Sequence, residues 1–102
     1  MKEIKLDTWD AKLPNGTVIQ ETLVTVLSVV LSASMESLPK GMDGFRLMKR
    51  IADAFDSADK TGTLKLEDAD YLALKTFTEK NIPPKLALNV NIVSAVDKFL
   101  SL

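Results

Sequence analysis

The sequence contains neither cysteine nor histidine. Disulfides, thiolate nucleophiles, zinc sites of the Cys/His kind and imidazole acid–base catalysis are therefore excluded together. Serine nucleophiles are poorly served as well, because Ser28, Ser32 and Ser34 have no histidine to activate them and lysine alone would have to act as base. Long apolar runs are also missing. The longest, Leu23 to Leu31, is interrupted by Thr25 and Ser28 and falls well short of the ~20 residues that span a bilayer, so no membrane span is expected. Neither sign of charge dominates: 13 basic against 14 acidic residues leave a net charge of -1, which gives no general attraction to nucleic acid or acidic lipid.

What is present describes one ordinary globular domain. The chain has 102 residues, of which 46% are hydrophobic and 26% charged, enough to bury a single core and too few for a second domain. Charges occupy the opening Met1-Lys2-Glu3-Ile4-Lys5-Leu6-Asp7, where a secretory leader would need an apolar run, so a cytoplasmic protein is expected.

Periodicity predicts an N-terminal β-hairpin over residues 1–20 and a helical part over 21–102, a mainly α (α+β) fold. Ile4 and Leu6 alternate with Lys5 and Asp7 as a short strand. Thr17-Val18-Ile19 forms a second β-prone run, and Asn15-Gly16 between the two tolerates the positive φ of a tight turn. Four helices follow. The first runs from Gln20 to about Glu36 on Leu23, Leu27, Val30 and Leu31, up to the break at Pro39-Lys40-Gly41. The second runs from about Asp43 to Asp56, with Phe45, Met48, Ile51, Ala52 and Phe55 on one stripe. Ser57 to Leu66 is predicted as a polar loop with a short extended end at Leu64-Lys65-Leu66. The third helix has Glu67, Asp68 and Asp70 in its first turn and Asn81 at its end. The last is opened by Pro83-Pro84 and offers Leu86, Val90, Val93, Val96 and Leu100 as a core face, widened by Ile92 and Phe99.

Three groups of side chains invite a functional reading. Between the second and third helices, Ser57, Asp59, Thr61 and Asp68 stand at alternate oxygen-ligand positions around Gly62, with apolar Leu64 after it. This stretch resembles a decayed EF-hand, and the resemblance implies a calcium site on those four residues. Two of the ligands are hydroxyls, and the last is one methylene short of glutamate. A register starting at Asp56 puts Glu67 last but places Ala58 and Lys60 at ligand sites. A plain polar loop feeding a helix N-terminus accounts for the same residues.

The second group is basic: Arg46, Lys49 and Arg50 with Lys40, diluted by Asp43 and Asp53. These cations could meet phosphate or an acidic partner, but no aromatic residue is interleaved for base stacking and no glycine-rich anion loop accompanies them. A solvated helix face is the expected role. The third is Trp9, the only tryptophan, which caps the core or, with Leu13 and Pro14, anchors a partner. The carboxylates Asp53, Asp56, Asp59, Glu67, Asp68 and Asp70 fall at helix ends and in the connecting loop, where capping and dipole effects also place acids. No catalytic residue and no cofactor is expected.

Taken in order, Ile4 to Asp7, Asn15-Gly16, Thr22-Leu23, Phe45 to Phe55, Leu64 to Asp68 and Pro83-Pro84 resemble a loose class of roughly hundred-residue accessory proteins encoded in phages and prophages. The resemblance implies a role in particle assembly or on a host component and carries over no site residue. The expectation is a non-enzymatic module that binds another protein, of phage or host, and that completes its small core by homo-oligomerisation.

Overall fold

The computed structural model covers residues 1–102 and has strands and helices in the order β1 (Lys2–Lys5), β2 (Trp9–Lys12), β3 (Val18–Glu21), α1 (Leu23–Ala33), α2 (Met42–Thr61), β4 (Thr63–Leu66), α3 (Asp68–Asn81) and α4 (Val90–Leu100). Two 3₁₀ turns, Met35–Ser37 and Pro84–Leu88, sit before α2 and α4. The architecture is the expected α+β one.

The hairpin turns at Asn15-Gly16. Gly16 takes φ +87°, and the Asn15 side-chain oxygen accepts from the Thr17 N–H at 2.9 Å. Its arms are β2 and β3, with Trp9 opposite Glu21 and Lys12 opposite Val18. The opening strand is not one of them: β1 crosses the molecule and pairs antiparallel with β4, placing Ile4 opposite Leu64 and Lys2 opposite Leu66. The alternation of Ile4 and Leu6 with charged residues suits this position, since both lie half-buried against the core while Glu3 faces Lys65 from the solvent side.

Helix α1 is the centre of the core, burying Leu23, Val24, Val26, Leu27, Val30 and Leu31. Its β-branched residues favour strand, but burial on this scale outweighs intrinsic propensity. A capping box fixes its start: Thr22 Oγ1 accepts from Val24 N–H at 3.1 Å and Thr25 Oγ1 accepts from Thr22 N–H at 3.3 Å.

Helix α2 runs five residues beyond the expected end. Ala54 and Ala58 continue the stripe of Ile51 and Phe55, so the chain stays helical to Thr61, and Gly62 ends it in the left-handed region with its N–H bonded to the Ala58 carbonyl. The polar loop predicted for Ser57 to Leu66 is thereby corrected to helix, one glycine and β4. Phe45, in the first turn of α2, and Ala52, at its middle, are exposed, off the buried stripe. A side chain at Gly44 would overlap the Pro39 carbonyl oxygen, so the crossing into α2 requires glycine there.

Helix α3 buries Tyr71, Leu74, Phe77 and Thr78, and the Tyr71 hydroxyl donates to the Phe99 carbonyl of α4 at 2.8 Å. The expected final helix is broken in two. Pro84–Leu88 forms a 3₁₀ turn, Asn89 interrupts it and caps α4 by accepting from Asn91 N–H, and the helix begins afresh at Val90. This restart rotates the buried face: Ile92, Ala95, Val96 and Phe99 enter the core, while Val90 and Val93 turn outward.

Candidate interaction surface

The calcium-type residues are not brought together. Ser57, Asp59 and Thr61 lie on the last turns of α2, where residues two apart point roughly 200° from one another, so their oxygens cannot converge on one cation. Thr61 Oγ1 is already engaged, 3.0 Å from the Ser57 carbonyl oxygen and accepting from Thr63 N–H at 3.3 Å. Asp59 faces a shallow depression against α1, beside Thr25, Ser28 and Ser32, whereas Ser57 and Thr61 line another with Asp53 and Lys65. Asp68 pairs with the terminal ammonium of Met1 at 2.9 Å, and that hydrogen bond and charge hold its carboxyl below the usual carboxylate range. No group of three or more acidic side chains is arranged to hold a metal ion.

The basic residues are mostly neutralised by neighbours. Arg50 donates from Nε to both Asp70 carboxylate oxygens at 3.1 Å and from a terminal nitrogen to one of them at 3.1 Å, which raises its guanidinium above the ordinary value. Lys49 pairs with Asp53 at 2.9 Å one turn along the helix. Arg46 alone of the three is exposed without an ion-pair partner. The helix face therefore presents far less positive charge than its sequence suggests.

Trp9 takes the core-capping role. It is 8% exposed, and its indole N–H donates to Glu21 Oε1 at 3.4 Å across the hairpin. The hairpin register holds Trp9 at the base, opposite Glu21, and so takes it out of the partner-facing role. Leu13, at the far end of β2, is partly exposed, so the two do not form one anchor.

The surface that periodicity did not indicate lies at the end of the chain. Between the Pro84–Leu88 turn and α4 runs an apolar groove of about 160 Å³, walled by Ile82, Pro83, Leu86, Ile92, Val93 and Val96. On its flank stand Leu88, 91% exposed, and Val90, 76% exposed, the two most exposed large hydrophobic side chains of the protein. Asp97 is the single charged residue lining the groove, and its carboxylate has no ion-pair partner. The signal for this surface was Asn89, a residue type that starts helices, standing inside the stretch taken as one helix. A helix restarted at Val90 puts Val90, Val93 and Asp97 on one face by 3.6-residue spacing. No helix is long and apolar enough to cross a membrane. The chain matches no known family model, no curated protein and no solved structure.

Proposed function

We propose that the protein is a non-enzymatic interaction module that docks a protein partner on the groove between the Pro84–Leu88 turn and α4. One observation carries this reading: Leu88 and Val90 stand in water beside an apolar groove whose only charged lining residue is Asp97. Exposed apolar side chains are unremarkable singly, but gathered around a groove they are the usual composition of a docking surface. The order of sequence features resembles that of small phage and prophage accessory proteins, and on that resemblance the role proposed is in particle assembly or on a host component, in the cytoplasm of a bacterial host.

The test is a comparison of two baits, the wild-type chain and Val93→Asp, which places a carboxylate in the groove wall without touching the core face of α4. Immobilised in parallel and exposed to the same bacterial lysate, with and without phage structural proteins, they are expected to differ in one or a few retained proteins. Identical eluates from two baits of equal thermal stability would refute the reading.

A further inference from the structure

We infer that Asn15, at the tip of the β2–β3 hairpin, is a self-modifying site: without any enzyme, the chain converts it through a cyclic imide with Gly16 to a mixture of aspartate and isoaspartate.

The sequence singles this residue out. The chain has four asparagines, Asn15, Asn81, Asn89 and Asn91. Three of them precede a β-branched residue, Ile82, Val90 or Ile92, whose side chain crowds its own amide nitrogen. Asn15 alone precedes glycine, which leaves that nitrogen open to approach.

The fold sharpens the contrast. Asn81 ends α3, where its Nδ2 donates to Ser34 Oγ at 3.1 Å and the Ile82 N–H is held by the Thr78 carbonyl at 3.2 Å. Asn89 caps α4 and Asn91 lies in its first turn, so the helix fixes the backbone of both. Every residue from Lys12 to Gln20, by contrast, is exposed. The Asn15 side-chain oxygen accepts from the Thr17 N–H at 2.9 Å. That donor polarises the amide carbonyl and faces the negative charge that gathers on this oxygen when the carbon beside it is attacked. One contact opposes the attack, the bond from Gly16 N–H to the Leu13 carbonyl at 2.9 Å. It closes only the turn, at the end of a ribbon of two strands with no third, and it opens without disturbing the core.

In the first step the Gly16 nitrogen bonds to the Asn15 side-chain carbonyl carbon. Its proton passes through water to the departing side-chain nitrogen, which leaves as ammonia, and a five-membered imide remains. Water then breaks one of the two carbon–nitrogen bonds of the ring. Opening at the former side-chain carbonyl gives aspartate in an ordinary backbone, whereas opening at the main-chain carbonyl gives isoaspartate, with the chain running through the side chain. Either product adds one carboxylate to the hairpin tip, at the expense of a water molecule.

The two products differ in what they do to the turn. Aspartate still offers an oxygen to Thr17 and suits the position before glycine as asparagine does. Isoaspartate lengthens the main chain by one carbon, which shifts Thr17 relative to Leu13 and breaks the 2.7 Å bond from Leu13 N–H to the Thr17 carbonyl. The tip of the hairpin then opens while the core stays folded.

The experiment incubates the full chain in warm, mildly alkaline buffer without denaturant, samples it over weeks and digests each sample with trypsin. Cleavage after Lys12 and Lys40 releases the fragment from Leu13 to Lys40, in which Asn15 is the sole asparagine. That fragment is expected to gain about one dalton at least tenfold faster than those holding Asn81, Asn89 and Asn91. More isoaspartate than aspartate is expected in it, as measured by labelling with an isoaspartyl methyltransferase. Asn15→Gln, which would have to close a six-membered ring, is expected to abolish the gain. In hydrogen exchange the isoaspartate form, separated by chromatography, is expected to lose protection at the Leu13 amide, and Asn15→Asp to keep it.

A fragment that holds its mass, or that gains only in denaturant, overturns the proposal. So does conversion to aspartate with no isoaspartate, which marks direct hydrolysis without the imide. An isoaspartate form whose Leu13 amide exchanges as slowly as before would overturn the effect on the hairpin.

Discussion

Asp70 is the only charged residue buried in the core, 4% exposed, and it is there because α3 needs Tyr71 and Leu74 inward and so carries its first turn against α2. A carboxylate withdrawn from water is tolerated only with charge and hydrogen bonds returned to it, and Arg50 returns both through its planar fork. The pair is asymmetric, because the Arg50 side chain is 53% exposed while that of Asp70 is 6% exposed. Removing the cation therefore strands a desolvated acid, whereas removing Lys49, one residue earlier, merely frees the exposed Asp53. Arg50→Met is accordingly expected to lower the urea midpoint clearly, and Lys49→Met to leave it within error of the wild type. Equal midpoints for the two variants would show that Asp70 has no need of its partner. Nothing in the sequence separates these adjacent cations; only the fold, by burying one of two acids, makes one pair matter.

At the scale of elements, the sequence was most legible where one residue type does one job. Asn15-Gly16 and Pro39 mark a turn and a break, and each stands where its chemistry suggests, whereas the first helix, expected from Gln20, starts only after its N-cap Thr22 because Gln20 and Glu21 belong to β3. It was least legible where alanine or asparagine decided between two structures. Ala54 and Ala58 extend α2 through residues whose polarity reads as loop, and that extension carries Ser57, Asp59 and Thr61 onto a helix and away from a common centre. Asn89, read as one polar residue in a helix, instead restarts it and turns Val90 and Val93 to the outside. The glycine of the predicted calcium loop thus has a different task. Gly62 holds φ +78° as the C-cap of α2, with its N–H on the Ala58 carbonyl at 2.8 Å, and its own carbonyl accepts from Leu6 N–H at 2.9 Å. A Cβ there meets no atom within 4 Å, so the cost of Gly62→Ala is the left-handed backbone alone, about 1–2 kcal/mol. Chemical unfolding is expected to show that loss equally with calcium and with a chelator; a loss confined to the calcium-containing sample would restore the metal-loop interpretation.

The whole molecule is held together by two very different kinds of strand pairing. In the hairpin, β2 and β3 are neighbours in sequence, and apart from Trp9 their side chains are largely exposed: Val18 and Ile19 are open to solvent and only Ala11 and Glu21 are half-covered. In the other sheet, β1 and β4 are separated by the hairpin, α1 and α2, and the pairing closes over Leu64 and Leu66, both buried. Opening the tip of the hairpin disturbs little beyond it, whereas separating β1 from β4 exposes the core beneath and disrupts the anchor of α3. Two backbone bonds of similar length report on the difference: Leu13 N–H to the Thr17 carbonyl at 2.7 Å in the hairpin, and Leu6 N–H to the Gly62 carbonyl at 2.9 Å beyond β1. Length alone would give them similar protection. Native-state hydrogen exchange is expected to separate them by an order of magnitude or more. Leu13 should exchange through a local opening insensitive to low denaturant, and Leu6 with the steep denaturant dependence of the core amides of Leu27 and Leu74. Equal rates and equal denaturant slopes would mean that the hairpin folds as part of the core, with Trp9 coupling it to α1 strongly enough to offset its exposed surface.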